Sequence, residues 1–125
     1  MAFTTYTDNA LLGHLLGSTT YAKPSPYVAL FVGDPAAGGA EVSTSGTGYA
    51  RLAAAFTVSS GAATNSANLQ WSAATTAWGT ITHAAIYDAA SGGNQLITAQ
   101  LSVSKTIGVG DIIEFLSSNL SVTLT

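Results

Sequence analysis

Positions that alternate between apolar and polar dominate the chain, which is the pattern of β-strands whose two faces have different surroundings. The clearest run spans residues 78–88, WGTITHAAIYD, in which Ile81, His83 and Ala85 are expected to share one face. It is followed by the turn-forming letters AASGGN and by a second alternating run at residues 95–101. Two such runs around a glycine-rich turn predict a β-hairpin.

Other short runs also have the composition of strands. Residues Tyr27–Val32, YVALFV, are apolar and end at the letters GDP, which predicts a core strand followed by a turn. The remaining candidates are residues 49–58, 69–72, 112–116 and 120–124, with loops expected at residues 36–48 and 59–68. About eight short strands at intervals of roughly 8–12 residues predict an all-β fold, a single antiparallel β-sandwich of the jelly-roll type.

One short helix is predicted near the start of the chain. Asp8 is a suitable N-cap, the leucines that follow it lie on one helical stripe, and Gly17 is a suitable C-terminal glycine. No linker and no repeat of solenoid length divides the chain. We therefore expect one domain, residues 1–125, with residues 1–20 as its N-terminal helical segment.

The composition changes the expectation for the surface. Hydrophobic residues make up 47% of the chain, which is enough for a core, but charged residues make up only 7%, against about 25% in a typical soluble domain. The surface must therefore consist mainly of Ser, Thr, Asn, Gln, Gly and Ala, which give up little hydration when another protein covers them. Such a surface favours burial in an assembly. A monomer with a neutral, hydroxyl-rich surface is the alternative.

Charge and cysteine content exclude several classes of function. The cations are Lys23, Arg51 and Lys105 and the net charge is −3, so no basic stripe could neutralise several phosphates and nucleic-acid binding is not expected. The absence of cysteine excludes disulfides and thiolate metal sites, and is compatible with a reducing bacterial cytoplasm. The start of the chain lacks the basic region of a signal peptide and an apolar run that could span a bilayer, so no membrane association is expected.

No motif in the chain indicates catalysis. His14 lies among leucines and His83 lies within a predicted strand, so both are expected to pack or to form hydrogen bonds. Serines are numerous, but no GxSxG frame marks one of them as a nucleophile. Most acids fall at predicted turns, as Asp34, Asp88 and Asp111 do. Neither a calcium-binding spacing nor a nucleotide-binding glycine motif is present, so we expect no enzyme activity, no metal and no cofactor.

Two sets of residues are candidates for binding. The N-terminal segment and the loop at residues 36–48 are placed to reach a neighbouring protein. They supply the predicted interface residues Phe3, Tyr6, Leu11, His14, Glu41 and Val42. Trp71 and Trp78 are candidates for a platform on which a sugar stacks, although aromatic residues in so small a β-domain more often belong to the core or to an interface.

Four segments together resemble known proteins: NALLGHLLGSTTYAKPSPYVALFVGDP, GTGYARLAAAFT, WGTITHAAIYDAASGGNQLITAQLSVSKTIGVGDIIEF and LSVTLT. They are similar to small bacteriophage proteins commonly labelled tail-fibre proteins, in which a short helix leads to a strand ending in GDP, followed by a GYAR segment and a WGTxTHxxIYDA hairpin. The resemblance covers nearly the whole chain and is weakest at residues 59–77. Because the resembling segments contain no catalytic motif, the resemblance implies a fold and a place in the phage particle, and no reaction.

The resemblance implies a non-enzymatic structural protein of the virion, assembled in the bacterial host cytoplasm. Its expected partners are copies of itself and the major capsid protein or tail proteins. Two positions fit: a capsid decoration, or cement, subunit that stabilises the head, and a small tail or fibre subunit. The chain has no room for a long fibre shaft, which favours decoration slightly. The alternative function is a carbohydrate-binding module that recognises a host receptor through Trp71 or Trp78.

Overall fold

The computed structural model describes residues 2–123, which form one α-helix and a series of β-strands joined by turns and longer loops. Within this part of the chain the helix is α1 (Thr5–Leu15), and a 3-10 turn lies at Pro35–Ala37. The strands are β1 (Ala2–Phe3), β2 (Tyr27–Val32), β3 (Ala40–Glu41), β4 (Leu52–Ala53), β5 (Phe56–Ser59), β6 (Ala62–Asn65), β7 (Leu69–Gln70), β8 (Gly79–Tyr87), β9 (Gln95–Ile107), β10 (Glu114–Phe115) and β11 (Ser121–Thr123).

The largest sheet is built around the predicted hairpin. β8 and β9 pair antiparallel, and β2 lies on the other side of β8. The strand order is β1-β9-β8-β2-β3, with β4 also pairing with the edge of β2. Two smaller sheets, β5-β6-β11 and β7-β10, are also antiparallel. The all-β class, the antiparallel pairing and the single short N-terminal helix are confirmed.

One face of the large sheet packs against the two small sheets to form the main core. β2 contributes Val28 and Leu30, and β8 contributes Ile81 and Ile86, all of which are buried. The opposing side chains come from the small sheets and the turns beside them: Leu69, Trp71, Ile113 and Val122. Apolar residues from both layers therefore interdigitate, as they do between the sheets of a sandwich.

An irregularity in β8 changes which side chains share a face. The pairing of β8 with β9 shifts register between Ile81 and His83. Ile81 consequently lies in the main core, while Ala85 packs on the other face of the sheet with Ala29 and Phe31. The prediction that Ile81, His83 and Ala85 share one face is wrong, because unequal numbers of residues on the two strands interrupt the alternation.

Eleven strands lie within residues 2–123, against about eight predicted, because several pairings involve only two residues. The stretch SSGAATNSAN, predicted as a loop, contains β6, which pairs with β5 and β11. Ser60 and Gly61, both with positive φ, form the tight turn before it. Alanine, threonine and asparagine do not alternate in polarity strongly enough to indicate this strand. The last predicted strand is present as β11, and Leu124, which the pattern assigns to it, lies outside the described residues.

The N-cap of α1 is Thr4 and not the predicted Asp8. Thr4 Oγ1 accepts a hydrogen bond from the backbone N–H of Thr7 at 3.3 Å, and Asp8 lies in the first turn. The Thr4 hydroxyl also donates to the carbonyl oxygen of Gln95 at 2.6 Å, and the Thr7 hydroxyl donates to that of Leu96 at 2.8 Å. These contacts fix the start of α1 on β9. Local sequence could not indicate this start, because the partner strand lies far along the chain.

The position of Leu30 gives a test of this core. Replacing Leu30 by Ala removes a side chain that is 0% exposed and leaves a cavity, so we expect the free energy of unfolding to fall by about 2–5 kcal/mol. Val58→Ala is the control, because Val58 is 74% exposed and its truncation should change stability by less than about 0.5 kcal/mol. Urea denaturation followed by tryptophan fluorescence measures both. Equal effects of the two substitutions would contradict the assigned core.

Candidate functional site

A largely buried ion pair joins separate segments of the chain. Glu41 lies on β3 and Arg51 lies just before β4. Arg51 Nε donates to Glu41 Oε2 and Arg51 Nη2 donates to Glu41 Oε1, each at 2.9 Å. The side chain of Arg51 is 8% exposed and that of Glu41 is 24% exposed. Among residues 2–123 this is the one ion pair, and its bidentate geometry is the strongest that an arginine and a carboxylate form.

Tyr49 connects this ion pair to the large sheet. Its hydroxyl donates to Glu41 Oε2 at 2.7 Å and accepts from the backbone N–H of Leu30 at 3.0 Å. Leu30 lies on β2 between the stretch that pairs with β3 and the stretch that pairs with β4. The Tyr49 hydroxyl therefore supplies the acceptor that a strand carbonyl would otherwise provide for the N–H of Leu30. Burial raises the pKa of Tyr49, which keeps the phenol protonated and able to donate.

Arg51 also holds the turn between β8 and β9. Its guanidinium carbon lies 3.6 Å from the centre of the Tyr87 ring, which is a cation–π contact. Arg51 Nη1 donates to the carbonyl oxygens of Ala89 at 3.0 Å and Gly92 at 2.8 Å. One guanidinium thus ties the segment between β3 and β4 to the hairpin turn, and both border a shallow polar cleft.

Glu41 and Val42, two of the predicted interface residues, have intramolecular contacts. Val42 is buried in the main core, because this stretch of backbone returns to β2, where the N–H of Val42 donates to the carbonyl of Leu30 at 3.0 Å. Both carboxylate oxygens of Glu41 accept the hydrogen bonds described above. The expectation that residues 36–48 form an exposed loop is therefore wrong at Val42 and Thr47, which are buried, and holds at residues 43–46. An interface role for Glu41 and Val42 stays a prediction.

α1 and the residue after it expose apolar side chains to solvent. Tyr6, Leu12, Leu15 and Leu16 are all exposed, Leu15 by 73% and Leu16 by 83%. We call these four residues the helix patch. The three leucines are spaced so that they lie on one side of the helix, and neighbouring exposed apolar side chains mark contact surfaces more often than single ones do. The spacing of the leucines predicts one stripe, but spacing alone does not indicate that the stripe faces solvent.

The other predicted interface residues of the N-terminal segment differ in exposure. His14 is exposed, whereas Leu11 is partly buried and Phe3 packs against the main core. His14 Nδ1 accepts a hydrogen bond from the backbone N–H of Tyr21 at 3.2 Å, which is the kind of role expected for it. Whether Phe3, Tyr6, Leu11 and His14 contact another protein stays a prediction.

Trp71 and Trp78 are core residues. They are 1% and 6% exposed, and their indole N–H groups donate to the carbonyl oxygens of Ala50 at 3.0 Å and Thr47 at 2.9 Å. Stacking on a sugar requires a ring face that solvent reaches. The structure places neither tryptophan where the predicted sugar platform requires it, because both rings fill the core.

The acids at turns stabilise those turns. Asp34, Asp88 and Asp111 each accept a hydrogen bond from a backbone N–H of the same turn, as predicted. His83 Nδ1 lies 2.8 Å from Oγ1 of the adjacent Thr82. In the described part of the chain, no three His, Asp or Glu side chains are grouped closely enough to hold a metal ion. No helix between residues 2 and 123 has the length and hydropathy needed to cross a membrane.

A second surface feature, which sequence analysis did not identify, is a groove between β9 and the segment that carries β10 and β11. Its volume is about 840 Å³. The lining side chains include Leu101, Val103 and Lys105 on one wall and Glu114, Phe115, Leu116 and Leu120 on the other, together with the polar residues Gln100, Ser102, Asn119 and Ser121. We call this feature the β9–β10 groove. The lining combines apolar and polar side chains in similar measure, and each wall carries one charge.

Asn65 fixes the second wall of this groove. Its buried amide Nδ2 donates to the carbonyl oxygen of Leu116 at 2.9 Å, and its Oδ1 accepts from the backbone N–H of Leu120 at 2.9 Å. A buried asparagine whose side-chain nitrogen and oxygen are both bonded holds a fixed backbone geometry. No local pattern indicates this role, because Asn65 stands in a stretch whose composition is that of a loop.

The fold and surfaces define a class of protein: a small all-β domain that exposes apolar surfaces. Most of its acidic side chains are hydrogen-bonded within turns or belong to an internal ion pair. Over residues 2–123 the chain matches the family described as Podophage GP4 fiber I protein gp80, and it belongs to this family of phage fibre proteins. It is therefore a virion-associated component. The tail-fibre resemblance is confirmed at this level, while the detailed pattern of segments stays a prediction. No curated protein matches the chain.

The ion pair makes stability depend on pH in a defined direction. Burial alone would raise the pKa of Glu41, but hydrogen bonds from Arg51 and Tyr49 and the charge of Arg51 outweigh burial and hold the pKa below its ordinary value of 4.5. The unfolded state therefore binds this proton more readily than the folded state does. This contribution to stability is present above about pH 4.5 and is lost as the pH falls through the lower folded-state pKa.

Glu41→Gln measures this contribution. We expect it to flatten this part of the pH profile and, because charge-assisted hydrogen bonds are lost, to lower the free energy of unfolding at neutral pH by about 1.5–3 kcal/mol. Asp8→Asn is the control, since Asp8 is exposed in the first turn of α1 and should contribute less than about 1 kcal/mol. Urea denaturation at several pH values gives both results. A profile that Glu41→Gln leaves unchanged would contradict the role of the ion pair.

Proposed function

We propose that this chain is a non-catalytic structural subunit of a phage tail fibre, held in the virion by contacts of its neutral surface and its helix patch with neighbouring virion proteins. The family supports a fibre protein; the position and the contacts are our proposal. The observation that carries it is the exposure of Leu12, Leu15 and Leu16 on one side of α1.

Exposed leucines favour a contact for an energetic reason. Covering apolar surface contributes roughly 25 cal/mol per Å², so leaving three leucines in water forgoes stability that a neighbour could supply. α1 is also held on β9 through Thr4 and Thr7. A surface on a fixed helix needs little ordering when it binds, so more of the contact free energy appears as affinity.

The rest of the surface is suited to the same role. Glu41 and Arg51 are paired internally, and Asp34, Asp88 and Asp111 are bonded within turns. The charged residues without such an internal partner are Asp8, Lys23, Lys105 and Glu114, and the turn aspartates Asp34 and Asp111 are also exposed. Neutral hydroxyl and amide groups cover much of what remains, and a neighbour can bury them without removing the water shell of an ion.

The sequence is also compatible with two other roles, a capsid decoration subunit and a receptor-binding module. Decoration would use the same kind of surface, and the small size that favours it suits a small fibre subunit equally well. The fibre description of the family favours the tail. Glycan recognition has no support from Trp71 and Trp78, which are buried.

Separated particles distinguish head from tail. We expect quantitative mass spectrometry of phage particles, divided into heads and tails, to find this chain with the tails and in far fewer copies than the major capsid protein. The physical reason is that a fibre attaches at a few symmetric positions, whereas a decoration subunit repeats over the whole capsid surface. Recovery with heads, in numbers comparable to the major capsid protein, would overturn the fibre proposal.

The helix patch is tested by the double substitution Leu15→Ser and Leu16→Ser in the phage. We expect the amount of this chain in purified particles to fall at least about tenfold, which corresponds to a loss of about 1.4 kcal/mol of contact free energy. Val58→Ser is the matched control, because Val58 is similarly exposed but lies on β5. Circular dichroism checks that both variants fold. Wild-type incorporation of the folded double variant would contradict the contact.

A further inference from the structure

We propose that the β9–β10 groove binds a second copy of this chain in a two-fold symmetric contact, in which Lys105 of each copy faces Glu114 of the other. This contact goes beyond the proposed function, because it uses a surface other than the helix patch and is tested on the purified protein.

The distribution of charge is the first argument. Few charged side chains remain outside the internal ion pair and the turns, yet one cation and one acid line the same groove. Lys105 and Glu114 are both exposed, and they form no ion pair with each other in the described chain. Opposite charges on the two walls make the groove complementary in charge to a copy of itself. This favours a second copy over a partner whose contact surface carries only positive or only negative charge.

The arrangement of the walls sets the symmetry. Lys105 pairs in register with Ile81, so its side chain leaves β9 on the core side of the sheet and lies over the groove. Glu114 lies on the opposite wall. A two-fold contact requires that one patch contain both members of each contact, so that residue i meets j and j meets i. Both charges belong to one patch, and a half turn brings each opposite its counterpart.

The shape of β9 fits the same contact. Between Gln100 and Lys105, β9 has more residues than the stretch of β8 that it faces, because His83 pairs with Gln100 and Ile81 pairs with Lys105. Val103 lies in this longer stretch of β9 and is 68% exposed, and Leu116 across the groove is 51% exposed. Each wall therefore presents an exposed apolar side chain that a second copy can cover.

Side chains rather than strand pairing must form this contact. β1 pairs with the outer side of β9 only at Ile97 and Thr98, which leaves a free edge beyond them within the described residues. The extra residues of β9 interrupt that edge, and bulges and lysines at an edge oppose the addition of another strand. The charges and apolar side chains of the groove, which substitutions can change one at a time, therefore control the association.

Charge reversal tests the contact. Sedimentation equilibrium should show a dimer for the wild type, and Lys105→Glu or Glu114→Lys alone should raise the dissociation constant at least about tenfold, because each places two like-charge contacts in a symmetric interface. The double variant Lys105→Glu with Glu114→Lys restores both pairs and should dimerise like the wild type. Lys23→Glu, which changes the net charge as Lys105→Glu does, is the control and should leave the dissociation constant unchanged.

Mixing the two single variants gives the sharpest result. In a two-fold contact between them, the two substituted positions face each other with opposite charges, and the second contact joins the native Lys105 and Glu114, so the mixture should form a heterodimer. A ring of three cannot alternate the two variants at every contact. A monomeric wild type, a trimer, or single variants that associate normally would each overturn the proposal.

The two proposals fail separately. The Leu15→Ser and Leu16→Ser variant should dimerise like the wild type, because the helix patch lies outside the groove. Dimerisation without incorporation into tails would overturn the proposed function alone, and incorporation of a chain that never dimerises would overturn the groove contact alone.

Discussion

The contact between Glu41, Arg51 and Tyr49 is the constraint on which much of the structure depends. On the side away from β8, β2 has a gap between its pairings with β3 and β4, and the Tyr49 hydroxyl accepts a hydrogen bond from the N–H of Leu30 there. Burying an ion pair carries a desolvation penalty. Here the penalty is offset because both carboxylate oxygens and most guanidinium N–H groups have partners, and because the guanidinium also lies over the Tyr87 ring. Removing either charge would leave the other largely buried without an opposite charge beside it.

This use of charge explains the neutral surface. A chain with so few ionised side chains has placed a carboxylate and a guanidinium inside, where they join β3, the start of β4 and the β8–β9 turn. Other acids hold turns, where a short side-chain oxygen accepts a hydrogen bond from a backbone N–H that no strand or helix partner reaches. The outside is then covered mainly by hydroxyl groups, amides and apolar side chains, among which the few exposed charges are widely spaced in sequence.

The sequence predicted those features that local pattern controls. The β8–β9 hairpin, β2 and the acids at turns follow from alternation, apolar runs and turn chemistry that each stand within about a dozen residues. The features it missed depend on distant partners. Val42 is buried because β2 lies beside it, Thr4 is the N-cap because β9 binds its hydroxyl, and the shift near Thr82 depends on the length of the opposing strand. The groove has the same origin, since its walls are separate in sequence and Asn65 positions one of them from a third segment.

Exposed apolar surface raises a problem that the β9 edge resolves. A protein that presents leucines and a free strand edge risks open-ended polymerisation, because a strand edge accepts copy after copy in the same direction. The extra residues of β9 interrupt the regular ladder that such growth needs, and Lys105 adds a charge that must find an acid before it can be covered. In the proposed groove contact, association is thereby confined to a patch of limited size and fixed complementarity. A patch of that kind closes on itself or on one neighbour and then stops, which is the behaviour that an ordered virion requires.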